Sequence, residues 1–413
     1  MNAIPSSDKA IIRELALQVA QLAALPVMEE NKKLWRALNG LKPQRPMVIA
    51  DQICWNEMNV DDALTLKCQH PDCRLHETEL RRIIYRQKYM PDDSVVEPFV
   101  RVPMAVTGTS LGISENTDIL ITEEDNDVRS YHYENQITSI EDIEKIKMPT
   151  VGHDKADTAR RMDIAHELFD GILGIQEEGF DLHISVWDPI TTFMGMENAL
   201  YAMVDEPEMM LALVNRMVAA KLSTLDQLEE QGLLCGPQPL VHCTGAWTDE
   251  LPQEDYNPAK PQAKDIWAYG LAQMLGTVSP DMYKEFEIDP CTPLLERYGL
   301  IYYGCCEPLN GKIDVISKIK NIRKLSVSPW ANEEILGEEI GSAYVFSNKP
   351  NPALLAEVGF DDDLIRAKLT KTVGICKKNG CPLEFIQKDI STLRHQPERL
   401  WKWVKIAKEV AMG

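Results

Sequence analysis

The order of strand-like and helix-like segments constrains the fold of this chain more than any other feature of its sequence. Short apolar segments alternate with longer segments whose apolar residues recur at helical spacing. Strands separated by helices indicate βαβ units and a parallel sheet. The predicted strands are Met47–Asp51, Val96–Val102, His183–Trp187, Leu240–Cys243, Tyr269–Leu275, Leu300–Gly304, Lys324–Val327, Tyr344–Ser347 and Leu383–Ile386.

The predicted helices complete the alternation and add a pair before the first strand. A first helix, capped by Ser7 and Asp8, ends at Pro26, and a second spans Glu29–Leu38. This pair either covers one end of a barrel or forms an oligomer interface, so a homodimer is among the expected assemblies. The later helices are Glu77–Tyr89, Asp157–Phe169, Pro207–Leu234, Pro280–Tyr298, Gly311–Lys318, Glu333–Ile340, Asp361–Lys378 and Pro397–Val410.

The nine predicted strands are one more than an eight-stranded barrel needs. We therefore expect Leu240–Cys243 or Tyr269–Leu275 to lie partly outside the barrel. Segment Cys243–Lys264, rich in Pro, Gln, Asp and Glu, is predicted to be a long loop at the catalytic end of a strand. The Thr and Tyr residues of Val106–Ile146 predict an irregular β excursion.

Composition excludes several classes of partner. The chain has 413 residues and a formal net charge of -21. A polyanion repels nucleic acid and anionic lipid, so neither is expected as a partner. Charged residues interrupt the N-terminal apolar run that a secretory signal needs, and no apolar run reaches the length of a membrane span. The ten cysteines, spread over a long chain, predict reduced thiols, metal ligands or core residues of a cytoplasmic protein.

Two short runs and their order in the chain resemble one enzyme superfamily. Val278–Phe286, which reads VSPDMYKEF, has the pattern of a helix start in that superfamily, and Ser347–Pro352, which reads SNKPNP, resembles one of its turns. Together with the alternating elements, these runs resemble the uroporphyrinogen decarboxylase superfamily. The resemblance implies an α/β fold, with a (β/α)8 TIM barrel over residues 41–413 and an N-terminal helical extension over residues 1–40.

The segment that holds substrate carboxylates in the decarboxylases of this superfamily differs here. Those enzymes carry an Arg-rich run near the N-terminus, whereas Arg45–Glu57 reads RPMVIADQICWNE, with acids and a tryptophan in its place. A polycarboxylate substrate without paired cations faces a large electrostatic cost. This disfavours porphyrin decarboxylation, and a decarboxylase-like lyase acting on a small acid remains an alternative.

The corrinoid-dependent methyltransferases of the superfamily are more similar. Ile301–Pro308, which reads IYYGCCEP, places Cys306 on a family zinc ligand and Gly304 where the family has a histidine. Phe385–Thr392 carries no cysteine where the family has its last ligand, which disfavours corrinoid-to-thiol transfer. With Thr244–Pro252, these runs resemble a bacterial subgroup associated with methyl transfer from methoxylated compounds to a corrinoid protein.

The resemblance implies a metal site at the ends of the strands. Zinc takes Cys, His and carboxylate ligands, so the candidate ligands are Cys306, which the resemblance implies, together with Glu307 and His242, and Cys305 and Asp389 are further candidates. Since adjacent strand residues point to opposite faces, only one of Cys305 and Cys306 should face the barrel axis. The structural alternatives are a buried core cysteine, a hydrogen-bonded histidine and a glutamate that begins a loop.

Catalytic and substrate-binding groups are expected beside that site. Lys388 and Asp389 follow an apolar strand and either form a salt bridge or take part in catalysis, with Lys388 as general acid if burial lowers its pKa. Asp188, after another predicted strand, is the third catalytic candidate. The candidates for substrate binding, with core packing as the alternative for the aromatic ones, are Trp55, Glu57, Trp187, Trp247 and Tyr303.

The leading hypothesis is a methyltransferase that moves a methyl group from a small methylated substrate, by resemblance a methoxylated aromatic, to the cobalt of a corrinoid protein. The chain has no D-x-H-x-x-G run of its own, so cobalamin or another corrinoid should arrive on a partner protein. The alternatives are corrinoid-to-thiol methyl transfer, a lyase reaction and a non-catalytic barrel that binds a ligand.

Overall fold

Helices and strands alternate along the chain, as the sequence predicts. The computed structural model describes residues 3–120 and 130–413. The helices are α1 (Ser6–Ala23), α2 (Pro26–Asn39), α3 (Pro71–Tyr89), α4 (Lys155–Phe169), α5 (Trp187–Met194), α6 (Met196–Asp205), α7 (Pro207–Gln231), α8 (Pro280–Tyr283), α9 (Asp289–Leu295), α10 (Ile313–Ile316), α11 (Glu333–Ile340), α12 (Ala353–Ala356), α13 (Asp362–Asn379) and α14 (Glu398–Met412). The strands are β1 (Met47–Ala50), β2 (Phe99–Pro103), β3 (Val106–Thr107), β4 (Thr117–Leu120), β5 (Ser130–Tyr133), β6 (Gly152–His153), β7 (Gly174–Glu178), β8 (Leu240–Val241), β9 (Thr244–Gly245), β10 (Trp267–Gly270), β11 (Leu300–Tyr303), β12 (Ile322–Val327), β13 (Val345–Asn348) and β14 (Leu383–Gln387).

Six of these strands form one parallel sheet in the order β1, β14, β13, β12, β11, β10. The first strand of the sheet therefore lies beside the last, with Val48 opposite Phe385. Nearly every residue of these strands is buried, as in a sheet covered on both faces. Because parallel strands end at the same edge, the loops that follow them meet at this C-terminal edge. A mixed α/β fold with a parallel sheet is confirmed.

The described residues show six strands in one sheet, and not eight strands hydrogen-bonded into a closed barrel. β2 pairs with β7 in a separate sheet, although the sequence predicts Val96–Val102 among the main strands. The predicted strand His183–Trp187 is replaced by coil and by the start of α5, because Pro189 suits the first turn of a helix. His242, with a φ of 53°, ends β8 and turns the chain back antiparallel as β9.

The loop Cys243–Lys264 lies at the N-terminal edge of the sheet, so its predicted place at the catalytic end is wrong. Asn39 Nδ2, at the end of α2, donates to the backbone oxygen of Trp247 at 2.7 Å. Arg323, near the start of β12, pairs with Glu250 at 2.8 Å. The chain reaches this edge because β9, in the first part of this loop, runs back antiparallel to β8.

The N-terminal helices pack on the rest of the chain. α1 contacts α3 and α4 through an apolar cluster. The predicted cap is wrong, because α1 begins after Pro5 without a side-chain cap, and the Asp8 carboxylate instead accepts hydrogen bonds from the backbone of Gln69 and His70, both at 2.7 Å. Among the described helices, none is alone long and apolar enough to cross a membrane, and only α1 with α2, bent by 59°, passes that test by length and composition.

A buried ion pair lies between α2 and the sheet. Lys324 Nζ is 2.8 Å from Glu384 Oε2 and 2.9 Å from Thr244 Oγ1. The ring of Trp35, from α2, lies 5.1 Å from the same ammonium group, and its Nε1 donates to the backbone oxygen of Asp93 at 2.8 Å. Because an unpaired buried charge is costly, these contacts are needed to keep the N-terminal edge closed.

The predicted β excursion in Val106–Ile146 is confirmed in its described part. There β4 and β5 pair antiparallel, with Thr117 opposite Tyr133. Residues 121–129 of this segment lie outside the described residues.

Candidate functional site

The loops after β11 and β14 bring two thiols, an amine and a carboxylate together at the C-terminal edge. Lys388 Nζ lies 3.2 Å from Cys305 Sγ and 3.3 Å from the Asp389 carboxylate. Cys306 Sγ lies 3.5 Å from Cys305 Sγ and donates to Asp389 Oδ2 at 3.5 Å. β12 and β13 separate the two strands in the sheet, so these side chains meet across its curved inner face.

Two imidazoles and a tyrosine continue this cluster towards β10. His242 Nε2 lies 3.2 Å from Lys388 Nζ, and its ring stacks on Tyr269 with centroids 4.0 Å apart. The Tyr269 ring is 6.4 Å from that of His183, whose Nε2 lies 3.3 Å from Asp188 Oδ2. The polar row, as we call it, comprises Asp188, His183, Tyr269, His242, Lys388, Cys305, Cys306 and Asp389.

The thiols of Cys305 and Cys306 both point to the side where the rest of the polar row lies. In a regular strand, two adjacent side chains would point to opposite faces. β11 ends at Tyr303, and Gly304 has a φ of 91°, so the alternation of faces stops before Cys305. A Cβ at Gly304 would lie 2.9 Å from the Leu309 side chain. The prediction that only one cysteine faces inwards is therefore wrong, because the positive φ turns the backbone.

Glu307 holds this turn from behind. Its carboxylate accepts hydrogen bonds from the backbone N–H of Cys305 at 2.8 Å and of Ala272 at 3.2 Å, and it is fully buried. Desolvation raises the pKa of Glu307. The Glu307 side chain is thus hydrogen-bonded to backbone N–H groups and does not point at Cys306 or His242.

The charges in the polar row favour a thiolate on Cys305. Hydrogen bonding from Cys306, followed by that from His242 and by the charges of Lys349 and Lys388, outweighs desolvation and holds the pKa of the Cys305 thiol well below its ordinary value. Burial alone would lower the pKa of Lys388, but the negative charges around it together outweigh burial and raise the pKa; they come from Cys305, Cys243, Asp389 and Cys306. The condition under which Lys388 would be a general acid is therefore not met, and Lys388 is a fixed cation.

The predicted ligands do not fit a zinc ion as they are arranged. Lys388 Nζ, within 3.2 Å of both His242 Nε2 and Cys305 Sγ, already places a cation between these two groups. Glu307 is engaged by backbone amides. Within residues 3–120 and 130–413, no three or more His, Cys, Asp or Glu side chains are grouped so as to hold a metal ion. Zinc binding stays a prediction.

Two of the predicted substrate-binding residues line one cavity. Trp55 and Trp247 border a cavity of about 540 Å³ that is lined mostly by α3 and by residues 94–101, with Ile49 of β1 on one side. Asp51 also lines it, and its backbone N–H donates to the oxygen of Gln387, the residue before Lys388, at 2.8 Å. The cavity is large enough for a small aromatic molecule and approaches the polar row through Asp51.

The other predicted substrate-binding residues have structural contacts. Glu57 accepts hydrogen bonds from Thr392 Oγ1 at 2.6 Å and from the backbone of Leu393 at 2.7 Å, and so it fixes the loop after β14. Trp187 is fully buried in the main core. Tyr303 points away from the polar row, and its hydroxyl donates to Glu287 Oε1 at 2.9 Å.

Several residues of the site escaped the sequence analysis. His183 and Tyr269 fell inside predicted strands and were not singled out. Lys349 Nζ and Ser326 Oγ both donate to the backbone oxygen of Cys305, at 2.9 and 2.7 Å. Lys349 follows β13 directly, so its position one residue after a buried strand is a signal that could have identified it. Lys221, whose pKa burial lowers to about 8, donates to the backbone of His183 at 2.7 Å.

The fold and the polar row together define a mixed α/β protein with a reactive site at the C-terminal edge of its sheet. No family model and no curated protein matches the chain. A methyltransferase from Methanosarcina mazei is similar in structure, with a TM-score of 0.50 and 13% sequence identity. The match covers 92% of this chain and 97% of that chain. At this identity the similarity shows a shared fold.

Proposed function

We propose that the polar row is the active site of a methyltransferase that moves a methyl group from a small methylated compound to the cobalt of a corrinoid on a partner protein. The observation that carries the proposal is the buried Lys388 ammonium group between Cys305 and His242 at the edge where the strands end. The name of the similarly folded methyltransferase supports the same class of reaction. The substrate, the partner and the closure of the sheet into a barrel are parts of this proposal.

The proposed substrate is a methoxylated aromatic compound. When its C–O bond breaks, the methyl carbon bonds to the nucleophile that the corrinoid supplies, and the electron pair of the broken bond stays on the aryl oxygen. The resulting phenolate then needs a cation and a proton. Lys388 offers a fixed positive charge for that oxygen. Tyr269 and His242 separate His183 from Lys388, so we assign to His183, oriented by Asp188 at 3.3 Å, the relay of a proton from solvent.

The cavity beside β1 is the proposed binding site for the aromatic ring. Trp55, which follows β1, offers a face on which a ring can stack, whereas Trp247 lies in the loop at the N-terminal edge. The exposed side chains of His183, His242 and Asp389 leave the other side of the polar row open to solvent. A partner protein that carries the corrinoid would dock over this open side.

The test is a methyl-transfer assay with the full chain, reduced cobalamin or a corrinoid protein, and a panel of methoxyaromatics, methylamines and methanol. We expect methylation of the corrinoid from a methoxyaromatic donor. Lys388→Met should lower the rate roughly 100-fold, because an interaction with developing negative charge is lost. Lys405→Met, on the exposed side of α14, is the matched control and should keep the wild-type rate.

Two results would contradict the proposal. One is the absence of corrinoid methylation from every donor, both with free cobalamin and with corrinoid proteins, which would favour a lyase or a binding protein. The other is an unchanged rate in Lys388→Met, which would show that methyl transfer does not take place at the polar row. Transfer from a methylated corrinoid to a thiol would instead favour the reverse reaction.

A further inference from the structure

Cys305 and Cys306 form an adjacent pair of thiols that face each other. Their Sγ atoms are 3.5 Å apart, and no bond joins them. A disulfide has an S–S length of about 2.0 Å, so the two atoms need to approach by roughly 1.5 Å. The turn at Gly304 brings both thiols to the same side, which an ordinary strand would not do.

The pair also differs from the other cysteines in its access to solvent. All ten cysteines of the chain lie within the described residues, and Cys306 alone among them is only half-buried. Cys305 is buried next to it and accepts a hydrogen bond from Lys388 Nζ at 3.2 Å. A small reagent can therefore reach the Cys306 thiol from solvent. The Cys305 sulfur lies buried beside it, in contact with the Lys388 ammonium group.

We propose that Cys305 and Cys306 are a redox-active dithiol that closes to a disulfide by exchange with a low-molecular-weight disulfide. Cys306 first passes its proton to the Cys305 sulfur, 3.5 Å away, and then attacks as the thiolate. This step forms a mixed disulfide and releases one thiolate of the reagent, which takes the proton from Cys305. The Cys305 sulfur then attacks the Cys306 sulfur and releases the second thiol. The two sulfurs lose two electrons and the one proton that they share, a second proton comes from solvent, and the reagent disulfide is reduced to two thiols.

Closing the pair changes the polar row. The Cys305 sulfur loses its negative charge, so Lys388 keeps only the Asp389 carboxylate as an anionic partner, and Cys306 no longer donates to Asp389. A disulfide between adjacent residues is strained, and strain makes such a bond easier to reduce. The modification is therefore reversible by a thiol, and it does not require that the proposed methyl transfer be correct.

The test treats the reduced full chain with oxidised glutathione and follows free thiols and intact mass. We expect the wild-type chain to lose two titratable thiols and two hydrogens in mass, without a retained glutathione, and to regain both with dithiothreitol. Cys305→Ser should stop at the mixed disulfide and keep one glutathione on Cys306. Cys306→Ser should not react with oxidised glutathione at the wild-type rate, because the exposed thiol is absent. Near-ultraviolet circular dichroism checks that each variant is folded.

A second pair of cysteines supplies the control. Cys376 and Cys381 are also close, but both are buried, and Cys381 Sγ donates to the backbone oxygen of Gly337 at 3.3 Å. Cys376→Ser should therefore react as the wild-type chain does. A stable glutathione adduct on wild-type Cys306, or thiols that react only after a bound metal is chelated, would overturn the proposal. Unreactive thiols in a metal-free chain would overturn it as well.

Discussion

Two buried lysines have different partners. Lys324 lies at the N-terminal edge of the sheet, and Lys388 lies at the C-terminal edge. Lys324 is neutralised by the carboxylate of Glu384, with Thr244 as a further acceptor. Lys388 also has a carboxylate partner, Asp389 at 3.3 Å, but its shorter contacts are with the sulfur of Cys305 and the imidazole of His242, both at 3.2 Å. A carboxylate pair is a stable structural arrangement, whereas a thiolate beside an ammonium group remains reactive. The same residue type therefore has a structural role at one edge and a proposed catalytic role at the other.

The structural role of Lys324 predicts a large loss of stability when its charge alone is removed. In Lys324→Met the Glu384 carboxylate stays buried without its cation, which should cost about 3–5 kcal/mol of unfolding free energy. The double variant Lys324→Met with Glu384→Leu should regain most of that loss, because no unpaired charge remains. Urea unfolding of the three chains measures both effects. Equal stability of the single and double variants would show that the pair is not coupled.

For individual residues, the sequence predicts which residue types lie in the site better than it predicts where their side chains point. Cys306, His242, Lys388, Asp389 and Asp188 were all singled out, and all lie in the polar row. Glu307, Glu57 and Tyr303 were also singled out, but they point at backbone amides or at the helices behind the sheet. The direction of a side chain after a strand end depends on the local φ, and Gly304, His242 and Asp389 all have positive φ values. Hydrophobic periodicity carries no information about such positions.

At the level of elements, a π-helical segment divides the helix that the sequence predicts over Pro280–Tyr298. Lys284–Ile288 lies between α8 and α9 and carries Glu287. The carboxylate accepts hydrogen bonds from Tyr303 at 2.9 Å and from Cys291 at 3.2 Å. Burial raises the pKa of Glu287 to about 7. Single-turn π segments are rare and often lie near functional sites.

This pKa predicts a pH-dependent loss of stability. Between the ordinary glutamate pKa of 4.5 and about 7, the unfolded chain has lost the Glu287 proton and the folded chain still holds it. Stability therefore falls as pH rises through this window, by at most about 3 kcal/mol for this group. Glu287→Gln removes the group, so the variant should gain stability relative to wild type between pH 5 and pH 8.

The measurement is urea unfolding of wild type and Glu287→Gln at both pH values. Glu285→Gln is the matched control, because Glu285 lies on the same segment but is exposed. It should follow the wild-type pH dependence. If Glu287→Gln also followed that dependence, the carboxyl group would be ionised in the folded chain already at low pH.

For the whole molecule, the sequence predicts the alternation of elements and the parallel sheet but not the partner of every strand. β10 to β14 and β1 are short, apolar and separated by helices, and local patterns identify them well. The separate pairing of β2 with β7 depends on contacts between residues far apart in the chain, such as Val100 and Ile175. Such pairings are decided by the packing of the complete chain and not by any local pattern.

The N-terminal helices supply the prediction that belongs to this scale. Without residues 1–40 the chain loses α1 from the α3–α4 cluster and Trp35 from beside the Lys324–Glu384 pair. We expect a chain beginning at Leu41 to lack a cooperative unfolding transition, as followed by near-ultraviolet circular dichroism and size exclusion. Deletion of residues 1–4, ahead of α1, is the control and should leave folding intact. A monomeric, cooperatively folded chain over 41–413 would establish that region as an independent domain.

The pairing of β1 with β14 has a consequence for how the protein is made. Ala50 lies opposite Gln387. The backbone groups of β1 that pair with β14 therefore have no partner strand until nearly the whole chain has been synthesised. At about 5–20 residues per second, this interval on the ribosome lasts on the order of tens of seconds. During that time an apolar strand has open hydrogen-bonding groups, which are the usual starting points of aggregation. Until translation supplies the last strand, only elements made earlier, such as α2, are available to cover β1.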